Sequence, residues 1–220
     1  MLNLLTIIIL SYLVGSIPTS IVLTKAIKGV DVRDYGSGNA GATNASRVLG
    51  KRFGLLVVIL DALKGVFAVV IIARLYLGSF PFPNTTPFDD FTLVQFIAGM
   101  SAVIGHIWTV FAGFKGGKGI ATGLGVLVSI VTVDMLIGIG VFILVASLSK
   151  YVSLASISAA IAVPLTMIVR ENIFGVDIPS YNTIIFFAFG LALLVMYTHR
   201  ANITRLLQGN ERKISLSKKK

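Results

Sequence analysis

The chain has 220 residues, of which 55% are hydrophobic and 13% charged; its mean hydropathy is +0.92 and its formal net charge +10. Soluble domains carry about 25% charged residues, and so few charges cannot cover a water-facing surface, whereas lipid solvates an apolar one. This excludes a disordered chain, a disulfide-framed secreted scaffold and an ordinary cytosolic enzyme. With no cysteine, thiol catalysis and thiolate metal sites are also excluded. Only His106 and His199 remain as imidazole ligands, so neither a zinc cluster nor any cofactor is expected. The basic excess fits membrane orientation and anionic ligands better than nucleic acid.

A helix needs about 20 mostly apolar residues to cross a hydrocarbon core of about 30 Å. Seven stretches qualify as candidates: Leu2–Thr24, Leu55–Leu77, Phe91–Phe111, Gly119–Thr132, Asp134–Ser149, Val152–Val169 and Tyr181–Tyr197. The fourth and fifth are short and could form one bent hairpin. The start, Met1-Leu2-Asn3-Leu4, lacks the basic segment of a signal peptide, and Lys25 and Lys28 follow the apolar run. The expected fold class is all-α: a polytopic integral membrane protein of about seven transmembrane helices, forming one domain over residues 1–220.

Basic residues set the expected orientation. Lys25, Lys28, Arg33, Arg47, Lys51, Arg52, Lys115, Lys118 and Lys150 fall on one side, with the C-terminal Arg200, Arg205, Arg212, Lys213 and Lys218–Lys220. Asp89, Asp90, Glu171 and Asp177 fall on the other. This places the N-terminus outside and the C-terminus in the cytoplasm. The outer loop Ser79–Asp90, with Pro81, Pro83 and Pro87, cannot be a long helix. No internal repeat is visible.

Polar sequence collects on the inner side, in segments of about 31–54, 112–122, 150–158 and 198–212. The first patch runs from Tyr35 to Arg47 and contains Gly36, Ser37, Gly38, Asn39, Gly41, Thr43 and Asn44. Small residues let backbone N–H groups approach an anion. Ser37, Thr43 and Asn44 add neutral donors, and Arg47 adds a fork suited to phosphate. A short helix starting near Asn39 would aim its positive end at the same ligand. Gly36, Gly38 and Gly41 spell GxGxxG, with Asp61 twenty residues on, but no βαβ unit fits between two spans.

The second patch, Phe114–Thr122, holds Lys115, Gly116, Gly117, Lys118 and Gly119. It fails the P-loop pattern, yet a glycine-rich turn opening onto a helix still presents N–H groups and a lysine to phosphate. The third patch begins at His199. If the last span continues, His199, Asn202 and Arg205 share one side. Asp61 and Lys64, three apart in the second span, can pair, in either a structural or a functional role. His106 reads as a core histidine in preference to a catalytic one. Ser153, Ser156 and Ser158 fit helix packing, and Ser153 and Ser156 lie near enough to the inner end to reach a ligand. Few acids lie on that side, namely Asp31, Asp34 and Glu211, which disfavours metal-assisted phosphoryl transfer.

Three motifs together resemble one family. They are Gly36–Asn44 with Arg47; Gly105-His106 with Lys115–Thr122; and His199–Ile203 with Arg205-Leu206-Leu207, Gly209 and Glu211. In order and topology, over almost the whole chain, they are similar to the bacterial acyl-phosphate:glycerol-3-phosphate acyltransferases. Ala40 and Thr109 stand where many members carry proline.

The resemblance implies transfer of a fatty acyl group from acyl phosphate to the 1-hydroxyl of sn-glycerol 3-phosphate. Lysophosphatidate and inorganic phosphate would be the products, made at a bacterial inner membrane for phospholipid synthesis. Acyl phosphate, glycerol 3-phosphate and membrane lipid are the implied partners, with a soluble enzyme supplying acyl phosphate. On this reading Ser37, Thr43, Arg47 and Lys118 hold phosphate groups, helped by Gly36, Gly38, Asn39, Asn44 and the backbone of Gly116, Gly117 and Gly119. His199 and Asn202 orient glycerol phosphate, Ser156 or else Ser153 touches a substrate oxygen, and Glu211 braces the C-terminal helix. Two acceptors for the hydroxyl proton stay open, His199 and a substrate phosphate oxygen. The alternative is a transporter of a phosphorylated metabolite, against which the one-sided donors weigh.

Overall fold

The computed structural model describes residues 3–76 and 90–214. The outer loop up to Asp89 and the tail at Lys218–Lys220 lie outside the described residues. The described elements are helical, and the chain divides into two compact units, Met1–Ile130 and Val131–Lys220.

In the first unit, α1 (Leu4–Ser16) and α2 (Thr19–Lys28) break at Ile17-Pro18, where the sequence predicts one continuous span. Proline has no N–H and its ring clashes with the carbonyl four residues earlier, so the ladder stops. The carbonyls freed by the break find new donors, as apolar surroundings require. The Thr109 hydroxyl donates to Ser16 O, and Lys64 Nζ donates to Ile17 O at 2.5 Å.

α3 (Ala42–Leu49) is short and polar, and it starts three residues later than Asn39, the expected start. α4 (Lys51–Phe67) continues through a π turn at Ala68–Ile72 to a 3-10 turn ending at Leu75. α5 spans Asp90–Ile107 and α6 spans Ile120–Ile130.

Glycines let these helices touch backbone to backbone. A Cβ on Gly15 of α1 would lie 2.0 Å from Ala102 O of α5, and one on Gly105 would lie 2.2 Å from Tyr12 O. The α4–α6 crossing repeats the device, with Gly125 against Ala62 O at 1.9 Å and Gly65 against Thr122 O at 2.2 Å. Lipid gives no hydrophobic drive for helix association, so close approach through small residues replaces it. Ile7, Ala68, Ile72, Ala73, Val94, Ala98 and Ala102 fill the core between α1, α5 and the end of α4.

The second unit packs α7 (Thr132–Ser149) on α8 (Val152–Asn172) and α8 on α9 (Tyr181–Thr198), followed by α10 (Arg200–Leu207). Arg170 donates to Asp134 Oδ2 at 2.5 Å, tying the last turn of α8 to the first of α7.

Among the described residues, six stretches are long and apolar enough to cross a membrane: Leu4–Lys28, Lys51–Leu75, Asp90–Ala112, Thr132–Ser149, Val152–Asn172 and Tyr181–Thr198. The expected fourth span is α6, whose 11 residues rise about 16 Å, half a hydrocarbon core. Only 17% of Thr132–Ser149 is buried within the protein, so an apolar solvent must cover the rest.

Candidate active site

The first basic turn, residues 31–41, is built around one asparagine. Asn44 is 1% exposed. Its Nδ2 donates to Val32 O at 2.7 Å and Tyr35 O at 2.9 Å, and its Oδ1 accepts from Ser37 N at 2.9 Å. Both amide hydrogens are thus used inside the turn. Asn44 shapes the loop and gives a ligand no donor, contrary to the sequence expectation.

Gly36 is fixed by the same contact. Its φ is +61°, and a Cβ there would lie 2.1 Å from Asn44 Oδ1. Gly38 N donates to Tyr35 O, so the backbone donors of Ser37 and Gly38 point into the turn and not at an anion. The Ser37 hydroxyl and Arg47 remain on the exposed side, with the Arg47 stem beside Gly36. Thr43 is half-buried in the first turn of α3, and Asn39 precedes that helix with its Oδ1 over Gly41.

The second basic turn follows α5 and corrects another expectation. Gly116 N donates to Ile107 O, and Gly117 N donates to His106 O, each at 3.0 Å. Those N–H groups close the turn and do not reach a phosphate. The residues must be glycine for steric reasons: a Cβ on Gly116 would lie 2.0 Å from His106 O, and one on Gly117 would lie 2.1 Å from His106 Nε2. Gly119, at φ +82°, accepts from Gly123 N and opens α6. Lys118 therefore stands half-buried just before a helix N-terminus, a place that favours anions.

In the sequence Arg33 and Asp31 are simply inner-side charges. They form the brace between the two turns. Arg33 donates from Nε and Nη2 to both oxygens of Asp31, and from Nη1 to Ala112 O at 2.7 Å. The Arg33 hydrogen bond holds the Asp31 carboxyl below its ordinary range, against the opposing effect of burial. Ile21, Val32 and Ala40 pack with Val48 and Ala112 beneath this brace. The Asp31-x-Arg33 spacing was visible, but no local pattern tells which distant carbonyl an arginine will reach.

In the second unit the last span stops before His199, so the condition for His199, Asn202 and Arg205 to share one side of a continued helix is not met. α9 ends at Thr198 and His199 forms a corner, with φ −97° and ψ 5°. His199 is 3% exposed, and its Nδ1 lies 2.8 Å from Val195 O. A carbonyl only accepts, so Nδ1 carries a proton; in the neutral form of the ring Nε2 is then the accepting nitrogen.

Glu211 binds the corner from behind. Its Oε1 accepts from Asn202 Nδ2 at 2.7 Å and Ser153 Oγ at 2.9 Å, and its Oε2 accepts from Arg205 Nε at 2.7 Å. Burial raises the carboxyl's pKa, but these donors together outweigh it and hold Glu211 below the usual range. The Ser153 hydroxyl is committed to Glu211, which leaves Ser156, buried one turn on, as the better candidate for a ligand. Among the described residues, no three of His, Asp and Glu stand together as a metal-binding set.

The chain's resemblances bear on this geometry. The glycerol-3-phosphate acyltransferase family model matches residues 5–209. The chain is 48% identical to a glycerol-3-phosphate acyltransferase of Chlorobium chlorochromatii (strain CaD3), over 99% of this chain and 100% of that protein. It is 45% identical to one of Chlorobaculum tepidum, with 100% of both covered. A crystal structure of PlsY (YgiH), an integral membrane glycerol 3-phosphate acyltransferase in its glycerol 3-phosphate form, superposes with a TM-score of 0.79. Identity to it is 38%, over 96% of each chain. The lysophosphatidic acid form of the same protein superposes with a TM-score of 0.78. A match from residue 5 to residue 209 takes in both basic turns and the His199 corner, and the chain belongs to the glycerol-3-phosphate acyltransferase family.

Proposed function

We propose that the chain transfers a fatty acyl group from acyl phosphate to the 1-hydroxyl of sn-glycerol 3-phosphate, at a bacterial inner membrane, giving lysophosphatidate and inorganic phosphate. The observation that carries this is the pair of basic turns braced by Arg33. Arg47 stands in the last turn of α3 beside the first turn, Lys118 stands on the second, and Asp31, the acid at the brace, is neutralised by Arg33. Such a site suits phosphate esters, and both proposed substrates bring a phosphate. The glycerol 3-phosphate and lysophosphatidic acid forms of the solved relative match one substrate and the product of this reaction.

In the first unit Ser37, Thr43, Arg47 and Lys118 are the proposed phosphate ligands; in the second His199, Asn202 and Ser156 are the proposed ligands of the glycerol moiety. The 1-hydroxyl oxygen attacks the acyl carbonyl carbon, the carbonyl–oxygen bond to phosphate breaks, and phosphate departs as a stable anion. His199 Nε2 accepts the hydroxyl's hydrogen bond, and the proton ends on the released phosphate. Acyl phosphate is already activated, so positioning and charge stabilisation suffice.

The test uses the full chain in detergent with palmitoyl phosphate and glycerol 3-phosphate, and palmitoyl-CoA as the control donor. Equimolar release of inorganic phosphate and lysophosphatidate from palmitoyl phosphate alone is expected. Product from palmitoyl-CoA and none from palmitoyl phosphate would overturn the choice of donor. No product from either, with folded protein, would overturn the reaction and make glycerol phosphate transport into liposomes the next assay.

A further inference from the structure

Beneath the basic turns lies a buried polar cluster that the reaction above does not use. Asp61 is 2% exposed and Lys64 7%, both inside α4. Lys64 Nζ has three donors and three acceptors: Ile17 O, Thr19 Oγ1 and Asp61 Oδ1, the last at 2.6 Å. Thr19 Oγ1 donates to the same Asp61 oxygen at 2.8 Å. The cluster is therefore saturated on the Lys64 side.

The same Asp61 oxygen also faces the third span: it lies 3.7 Å from His106 Nδ1, an electrostatic contact beyond hydrogen-bond distance. The opposite edge of that ring, Nε2, is pressed on Gly117, and the His106 carbonyl receives the Gly117 N–H. A continuous line of contacts thus runs from Asp61 through the His106 ring to the residue preceding Lys118. A buried ion pair adds little stability over apolar residues of similar volume, so stability alone is a poor reason to place two charges in a span. A charge that sets the pose of a ring against a turn has a reason to be there.

We propose that Asp61, Lys64 and His106 are positioning residues: Asp61, charge-balanced by Lys64, sets the His106 ring, and the ring sets the turn that presents Lys118 to phosphate. None of the three touches substrate. The proposal rests on the reading of Lys118 as a phosphate ligand, and it is tested by binding as well as by turnover. It does not choose between the phosphate of glycerol 3-phosphate and that of acyl phosphate; the arms of the experiment do.

The experiment compares wild type with the charge-neutral double variant Asp61→Asn/Lys64→Met and with His106→Phe, which keeps a flat ring but not its nitrogens. Binding of glycerol 3-phosphate and of inorganic phosphate is measured by calorimetry, and KM for both phosphate substrates is measured with kcat. A purely structural pair, neutralised on both sides, would leave folding and binding intact. Positioning predicts phosphate binding weakened about tenfold and KM for one substrate raised by more than any fall in kcat. The substrate whose KM moves is the one that Lys118 holds. Binding and both KM values within about twofold of wild type in a folded variant would overturn the proposal. Should the double variant fail to fold, His106→Phe decides by the same readings. Weakened phosphate binding in a chain whose wild type transfers no acyl group would support the positioning role and overturn the acyl-transfer reading.

Discussion

Arg47 occupies the last turn of α3 on its exposed side, with its stem beside Gly36. Exposed substitutions seldom shift stability by more than about 0.5 kcal/mol, so Arg47→Ala is expected to leave a folded, membrane-inserted protein. Losing a forked, charge-assisted contact to a phosphate in the transition state costs about 2–4 kcal/mol, a fall in kcat/KM of roughly 30- to 1000-fold. Arg47→Lys recovers little, because an ammonium cannot reproduce the planar fork. Wild-type turnover in either variant removes Arg47 from the site. The prediction for His199 turns on its tautomer. Val195 O holds the Nδ1 proton and makes Nε2 the acceptor. In His199→Gln the amide oxygen still accepts a hydrogen bond but cannot take a proton at neutral pH. Turnover within about tenfold of wild type fits a hydrogen-bond role, whereas a loss of about 10²–10⁴ would mark His199 as the general base.

At the scale of elements, the two basic turns and the C-terminal corner are held by different chemistry. Backbone carbonyls, Asn44 and Arg33 hold the turns, while the corner depends on the single carboxylate of Glu211. This makes the corner sensitive to acid. The folded pKa of Glu211 is depressed, so its contribution is complete above the ordinary glutamate value of about 4.3 and is lost as pH falls through the lower folded value. The melting temperature should therefore stay flat from neutral pH to about pH 5 on account of this group and fall below it. Glu211→Gln should lower the melting temperature at pH 7 and shrink the acid-side fall. An unchanged acid limb would show that other carboxylates produce it. The sequence made the location of these elements legible, because glycines, basic residues and small polar residues cluster where they interrupt the apolar runs. The direction of the backbone donors was not legible. Gly116 and Gly117 looked like anion-facing amides, yet their N–H groups close onto Ile107 and His106, a pairing that exists only once α5 and the turn have packed. Pro18 was visible in the first span, but the run of apolar residues around it masked the break.

For the whole molecule, hydropathy is the part of the sequence that the structure bears out most directly. Apolar runs of spanning length survive in the structure because lipid, unlike water, leaves no alternative to helix for a backbone that must satisfy itself. The short α6 is the departure, since composition sees an apolar run but not where backbone geometry ends it. We expect the ends of α9 to lie on opposite sides of the membrane, with the segment after α10 in the cytoplasm. The chain has no cysteine, so single introduced thiols report cleanly. Phe174, 72% exposed before α9, and the exposed Asn210 after α10 are separated by an 18-residue helix that rises about 27 Å. In intact cells a membrane-impermeant maleimide should label Phe174→Cys and spare Asn210→Cys, which should react only after the membrane is opened. The reverse pattern would invert the orientation and put Glu211 and the His199 corner outside. A cytoplasmic supply of acyl phosphate could not then serve them, and the proposed reaction would fail on topology before any kinetic constant was measured.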